Sequence, residues 1–501
     1  MKVKSHTRYI LTFLFTVFIL FIGSSASGYF DFNPECKATF KQVLELKLDK
    51  AQSSINQFKT NQSQNLAFDF IEDYIDIFKI YISDDKALFK QLEKNEKIRV
   101  NRIVASGNTS SPYSKYTQAE IHLHWALLHL KFGHYLAAFN KIKKAFNLLQ
   151  ANTKEYPSFV PNQKSLAVIH AMLSTVPQEY KWIIKTMSGM SGDMDQARFE
   201  LEQVILYADK TEYLFKDEAV LAYILMVTNF DNDISSALSI LDRTKLDPLA
   251  SPLISYVFAH LAIKNFQNDR ALEYLLASPT GKDYYPFHYL HFLTGLTKLR
   301  RLDSDADVYL LKYISNHKGL HFVKECYQKL AWAELIKNNV RGYQHYMNLL
   351  KSSGTQVIDE DKQAQREAIQ TKMPNVHLLK ARLLFDGGYF SKAESLILAN
   401  KSELAKTVDT ELEANYRLGR IYHQQRKNDQ AIVFYMKSFQ NGMSHPEYFA
   451  CASALYLGQI YESMQKKELA KYFFGQCLQV FPQEYSNSLH QKAKAGLNRI
   501  S

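Results

Sequence analysis

The sequence predicts an all-α protein, and three observations predict it. From Glu35 onward apolar residues recur at i, i+3, i+4 and i+7, as Ile71, Tyr74, Ile75, Phe78 and Ile82 do, which is the stripe of an amphipathic helix. Strand-type alternation is hard to find. Gly (18) and Pro (12) are scarce in 501 residues, which speaks against turn-dense all-β and collagen-like designs. Short polar turns break the stripes into runs of about 12–16 residues, the rhythm of antiparallel helical hairpins.

The composition suits a globular chain: 46% hydrophobic, 13% aromatic and 22% charged, with 4 Cys, too few for a disulfide scaffold. The formal charge of +11 is spread along the chain without a block of like charges, so no nucleic-acid footprint is visible.

Taken in order, the chain opens on Lys2, Lys4 and Arg8, then an apolar run from Tyr9 to Ile22, then small residues from Gly23 to Gly28. That is the layout of a secretory signal peptide over 1–28, with cleavage near Ser27 or Gly28. The run is shorter than the ~20 residues of a spanning helix. An uncleaved anchor is the alternative. The first Cys, Cys36, follows Asn33-Pro34-Glu35, the wrong context for a lipoprotein. The expectation is an exported protein, periplasmic or secreted.

The clearest repeats lie near the C-terminus. One carries Leu418-Gly419, Tyr422, Ala431, Tyr435 and Ser438; the other Leu457-Gly458, Tyr461, Ala470, Phe474, Cys477 and Pro482. From the Gly, the offsets are 3, 12, 16 and 19 in both. Gly and Ala at these positions let paired helices approach closely, and the aromatics fill the space between them. Earlier copies are Ala381, Leu384, Gly388, Phe390, Ala393 and Ile397, and Ala126, Gly133, Tyr135, Ala138, Ile142 and Ala145. Weaker ones place a turn-side Ala at Ala51, Ala237 and Ala271, and Lys329–Ala333 opens another.

This pattern resembles the tetratricopeptide repeat (TPR), a 34-residue helix–turn–helix. The chain is also similar in style to exported bacterial TPR-containing proteins. The resemblance implies a right-handed superhelical solenoid of TPR-like hairpins, roughly 10–12 in number with several degenerate. Loops are expected at 106–112, 156–162, 230–233, 247–252 and 278–282. The longest polar stretch, 351–374, is read as a connector with a surface helix over 359–371. It separates a degenerate array (29–350) from the clear one (375–501).

Catalytic motifs are missing. There is no nucleophile elbow, no Walker A loop and no dinucleotide fingerprint. His122, His124 and His129 cluster, and His288 and His291 share a helix face, but no His-Glu-x-x-His frame accompanies them, so no metal or cofactor is expected. The acidic pairs Asp84-Asp85 and Asp359-Glu360-Asp361 read as solvent turns. An enzyme on a helical-repeat body requires a buried polar cluster, and none is visible, so a non-enzyme is expected. Cys451 and Cys477 fall at opposite ends of one hairpin, where a disulfide is geometrically possible.

TPR ligands usually meet the first helix of each hairpin at repeat positions 5, 9 and 12. By that resemblance the candidate partner-binding residues are Arg382, Phe385, Tyr416, Arg420, His423, Gln459 and Glu462, with Leu378 and Leu455 at the remaining positions. The two Arg are suited to carboxylates. The expected function is a non-enzymatic scaffold or adaptor of the bacterial cell envelope. It binds an envelope protein or peptide segment, with peripheral contact to outer-membrane proteins. The second reading is a glycan-binding protein similar to the starch-binding outer-membrane type.

Overall fold

The computed structural model describes residues 28–500, apart from 109, 177, 245 and 371 and the side chains of 178–180 and 183. The expected signal segment therefore lies, up to Ser27, outside the described residues. Among the described residues all regular structure is helical; an isolated bridge joins Tyr29 and Asn65. No described helix is long and apolar enough to cross a membrane.

The chain divides into two compact units, one running to Val257 together with Pro279–Pro286, the other comprising Phe258–Ser278 and Phe287–Ser501. In the first, the helices are α1 (Pro34–Leu44), α2 (Leu48–Asn61), α3 (Ala67–Ser83), α4 (Lys86–Leu92), α5 (Lys94–Ala105), α6 (Pro112–Lys131), α7 (Tyr135–Glu155), α8 (Asn162–Ser174), α9 (Gln178–Ser188), α10 (Met194–Lys210), α11 (Lys216–Met226) and α12 (Ile234–Thr244). A π-helical turn, Val227–Asp231, precedes α12, so Phe230 and Asp231 are helical where a loop is expected. The changeover falls within α13 (Pro252–Lys264).

The second unit holds α14 (Asn268–Ala277), α15 (Tyr289–Arg301), α16 (Ala306–Asn316), α17 (Val323–Ile336), α18 (Val340–Ser352), α19 (Asp359–Gln370), α20 (Val376–Asp386), α21 (Phe390–Ala399), α22 (Lys401–Leu404), α23 (Val408–Gln424), α24 (Asn428–Gly442), α25 (Phe449–Ser463), α26 (Lys467–Gln479) and α27 (Ser486–Ile500). Successive pairs pack as hairpins: α15 with α16, α17 with α18, α20 with α21, α23 with α24 and α25 with α26, while α27 packs on the last pair.

One turn recurs in these hairpins. The residue closing the first helix is left-handed: Leu46, Gly133, Phe266, Leu302, Asn338, Gly388, Arg426 and Gln465. At each, the next amide donates back to the carbonyl five residues earlier at 2.8–2.9 Å, from Lys47 to Gln42 through Lys466 to Tyr461. This is the Schellman closure, which satisfies carbonyls the helix end would leave open. Five residues after most of these turns stands a fully buried Ala: Ala51, Ala138, Ala271, Ala393, Ala431 and Ala470. Ala237 stands likewise after Asn232.

Close packing explains the repeat glycines. A Cβ on Gly419 would sit 2.5 Å from the Tyr435 ring, and one on Gly458 2.5 Å from the Phe474 ring. Tyr422 stacks on Phe434 and Tyr461 on Phe473, at 5.4 and 5.5 Å between centroids. Cys451 and Cys477 bring their Sγ atoms to 3.5 Å as buried free thiols.

Two expectations need correction. The polar stretch 351–374 lies inside the second unit rather than between units, because α19 packs on α17 and α18 and buries Ala364 and Ala368. Nor is Asp361 in a solvent turn. It is fully buried and accepts from Phe322 N (2.8 Å) and Glu325 N (2.9 Å), capping α17 from another helix, while burial raises its pKa to about 6. Asp84 is likewise buried, paired with Lys131 at 3.0 Å.

Candidate functional site

α20 and the start of α23 line a groove of about 590 Å³ in the second unit, together with the ends of α17 and α19, the start of α18, the segment 372–375 and the approach to α25 at Glu447–Phe449. α20 starts cleanly because Asn375 accepts from His377 N and Leu378 N, and α23 because Thr407 accepts from Thr410 N. α20 contributes Leu379 and Arg382, α23 contributes Asp409, Glu413 and Arg417, and Tyr448 closes one side.

Arg382 is the open donor in this groove. Its guanidinium lies 4.8 Å from the centroid of the Trp332 ring, a cation–π contact, and 4.0 Å from Asp386. Trp332 is fixed in turn by its indole N–H, which donates to Glu367 at 2.7 Å. Among the described residues the Arg382 guanidinium donates no hydrogen bond, so its fork is available to an incoming carboxylate or carbonyl. Burial works against its charge, yet Asp386, Tyr448 and Glu367 hold its pKa above the usual arginine value. The other groove charges are engaged. Lys372 bridges Asp409 (2.6 Å) and Glu447 (3.1 Å), and Arg417 pairs with Glu413.

Of the residues expected to meet a partner, this groove takes Arg382. Phe385 and Tyr416 are buried and pack on neighbouring rings, Phe385 on Phe266 and Tyr416 on Phe449. Leu378 and Leu455 are buried too. Arg420 is held between the Phe385 and Tyr456 rings, 5.0 and 4.8 Å from their centroids, and donates to Tyr416 Oη. His423 lies against Tyr435 and Tyr456, its pKa lowered by burial and by Arg420. Glu462 is bound at 2.8 Å by Arg499 of α27, and Gln459 is half-buried on α25. The groove therefore lies nearer the start of α23 than the repeat positions indicate.

The first unit contains what the sequence did not reveal, a buried polar cluster. Along α3, Asp69, Asp73 and Asp76 recur at helical spacing and turn inward. Arg99 spans Asp73 (3.2 Å) and Asp76 (2.7 Å), Arg102 and Lys59 meet Asp69, and Trp125 donates to Asp73 at 3.0 Å. His124 meets the other Asp73 oxygen at 2.9 Å.

Beside them the Lys164 ammonium sits between Glu120 (2.5 Å) and Glu218 (2.7 Å), with Tyr74 Oη at 3.2 Å; Ser165 donates to Glu120. Burial opposes each charge, but the carboxylates win and raise the Lys164 pKa, while Lys164 and His124 lower that of Glu120. Glu120, His124 and Glu218 bring ligand atoms within 4.8 Å of one another, the spacing of a metal site. Lys164 already supplies the cation there, so the carboxylates are neutralised by the chain itself. The sequence signal was the Asp spacing on α3, but its partners lie far away in the chain.

Residues 412–440 and 452–484 each match the tetratricopeptide repeat family. These are α23–α24 and α25–α26; the first of them contributes Glu413 and Arg417 to the groove. The chain thus carries tetratricopeptide repeats in its C-terminal region. No curated protein matches the sequence.

Proposed function

We propose that this chain is a non-enzymatic scaffold that binds a protein or peptide segment in the bacterial cell envelope. The observation that carries this reading is the groove between α20 and the first helix of a tetratricopeptide repeat, α23, with Arg382 left open in it. Such repeats act through protein partners, and an Arg fork held on an aromatic face suits a peptide carbonyl or an acidic side chain. The envelope placement rests on the charged start and apolar run of residues 2–22. The mutual neutralisation of the Lys164 cluster supports a structural rather than a catalytic role for it.

The test is site-specific photocrosslinking in intact cells from positions 376 and 413, with Lys437, exposed on α24, as control. One or two stoichiometric partners, crosslinked from the groove and lost in Arg382→Ala, are expected. Crosslinks unaffected by Arg382→Ala, or equal from the control position, would overturn the groove as the binding surface. Cell fractionation checks the envelope placement separately.

A further inference from the structure

All four cysteines are fully buried thiols. Two of them meet backbone: Cys36 Sγ donates to Asp31 O at 3.4 Å and Cys326 Sγ to Leu310 O at 3.5 Å. Cys451 and Cys477 meet each other, with their Sγ atoms 3.5 Å apart. Cys451 Sγ also donates to Cys477 O at 3.4 Å, and Cys477 Sγ to Leu489 O of α27 at 3.9 Å. The pair sits at the open end of the α25–α26 hairpin, near the start of one helix and the end of the other, and 26 positions apart in the chain.

Packing alone does not call for sulfur there. The preceding repeat places Leu412 and Ser438 at the equivalent positions, both buried, with Ser438 Oγ donating to Leu412 O at 3.3 Å. The pair also differs from the other two cysteines in its chemistry. Burial raises the pKa of Cys36, to about 12, and that of Cys326. At Cys451 the hydrogen bond with Cys477 outweighs burial and lowers the pKa, while the same bond and burial raise that of Cys477. Cys451 is thus the sulfur that ionises first, and Cys477 the one that keeps its proton.

We propose that Cys451 and Cys477 form a redox pair that closes to an intramolecular disulfide and staples the last repeat. A disulfide holds its sulfurs about 2.05 Å apart, so the two have about 1.5 Å left to travel, a distance on the scale of side-chain rotation. The oxidant is another disulfide. The Cys451 thiolate attacks one of its sulfurs, that S–S bond breaks, and one half leaves as a thiolate. Cys477 then gives up its proton and attacks Cys451 Sγ, which forms the internal bond and releases the second half. The pair loses two electrons and two protons, and the oxidant is reduced to two thiols. The bond ties the start of α25, where Phe449 reaches the groove, to the end of α26. It does not depend on the scaffold reading.

The test uses the folded full chain with glutathione disulfide as the oxidant. The protein is then unfolded, its free thiols are alkylated, and its peptides are read by mass spectrometry. One linked peptide joining Cys451 to Cys477 is expected, with Cys36 and Cys326 alkylated. The thermal midpoint of the oxidised protein should rise by about 4 °C or more, since closing a loop of this length restricts the unfolded chain. Reduction should return it to its starting value. Cys477→Ser, which copies Ser438 of the preceding repeat, should fold by circular dichroism, give no linked peptide and show no rise. Folded protein that keeps all of its thiols open to alkylation would overturn the proposal, as would links to Cys36 or Cys326 in comparable yield. A linked peptide without a rise in midpoint, or a rise that persists in Cys477→Ser, would overturn the staple.

Discussion

The first unit and the last hairpins of the second solve the problem of packing helices in opposite ways. In the second unit the last hairpins interlock small against large: Gly419 under Tyr435, Gly458 under Phe474, and Ala431 and Ala470 at the turns. Their core is apolar almost throughout. In the first unit α3 buries an apolar stripe and also an acidic one, and the acids are met by Arg99, Lys59, Arg102 and His124 from other helices. A repeated apolar core tolerates one lost contact at a time. A buried ionic core does not, because removing one partner leaves the others charged without compensation.

The largest expected effect follows from that. Lys164→Met leaves Glu120 and Glu218 without their cation and is expected to destabilise the first unit by about 3–5 kcal/mol, read as a shift in its urea unfolding. Adding Glu120→Gln should recover part of the loss, since it removes one of the stranded charges. If Lys164→Met costs under about 1 kcal/mol, the cluster is not the ionic core described here.

In the second unit the effect is smaller and its sign depends on place. Gly458→Ala puts a methyl 2.5 Å from the Phe474 ring, and a Cβ on Gly496 would also lie 2.5 Å from that ring, so the ring is closely held. Overpacking of this kind costs about 1–3 kcal/mol. Gly475, on the adjoining helix α26, faces open space. There the same substitution should stabilise, by about 0.5–1 kcal/mol, because alanine is the better helix residue. Thermal unfolding of the two variants side by side decides the matter; shifts of the same sign would break the account of the repeat glycines.

The contrast also explains what could be read from residues alone. Gly419, Gly458 and the turn-side alanines declare themselves because their partners lie within one hairpin, at fixed offsets. Ala51, Ala237 and Ala271 were legible for the same reason, and all are fully buried behind left-handed turns. The turns themselves were half hidden. Only Gly133 and Gly388 advertise a positive φ, while Leu46, Phe266, Leu302 and Arg426 adopt it against their own preference. The buried cluster was illegible. Asp73 and His124 lie 51 positions apart and Lys164 and Glu218 54, and no periodicity links residues across such distances. The groove lies between these cases: Arg382 falls within it by its repeat position, whereas Arg420 is drawn off by Phe385 and Tyr456.

The smallest expected effect is one of pH, and it separates the two cores without disrupting either. His124 faces Asp73, Glu120 and Lys164. Burial acts to lower its pKa, but the hydrogen bond to Asp73 and the charges of Asp73 and Glu120 outweigh burial and Lys164 together, so the net shift is upward from 6.5. A folded value above the unfolded one means that the folded state holds the extra proton. The stabilisation is then complete below the unfolded value and is lost as pH rises through the folded one. The first unit should therefore weaken as pH rises above neutrality, by at most about 1.4 kcal/mol per pH unit for this one proton. His124→Gln should flatten that slope while leaving the unfolding of the second unit unchanged. Urea midpoints measured from about pH 6 to about pH 9 for both proteins give the comparison. If wild type and His124→Gln run parallel across that range, the imidazole is not carrying the proton, and Asp73 is balanced by Arg99 alone.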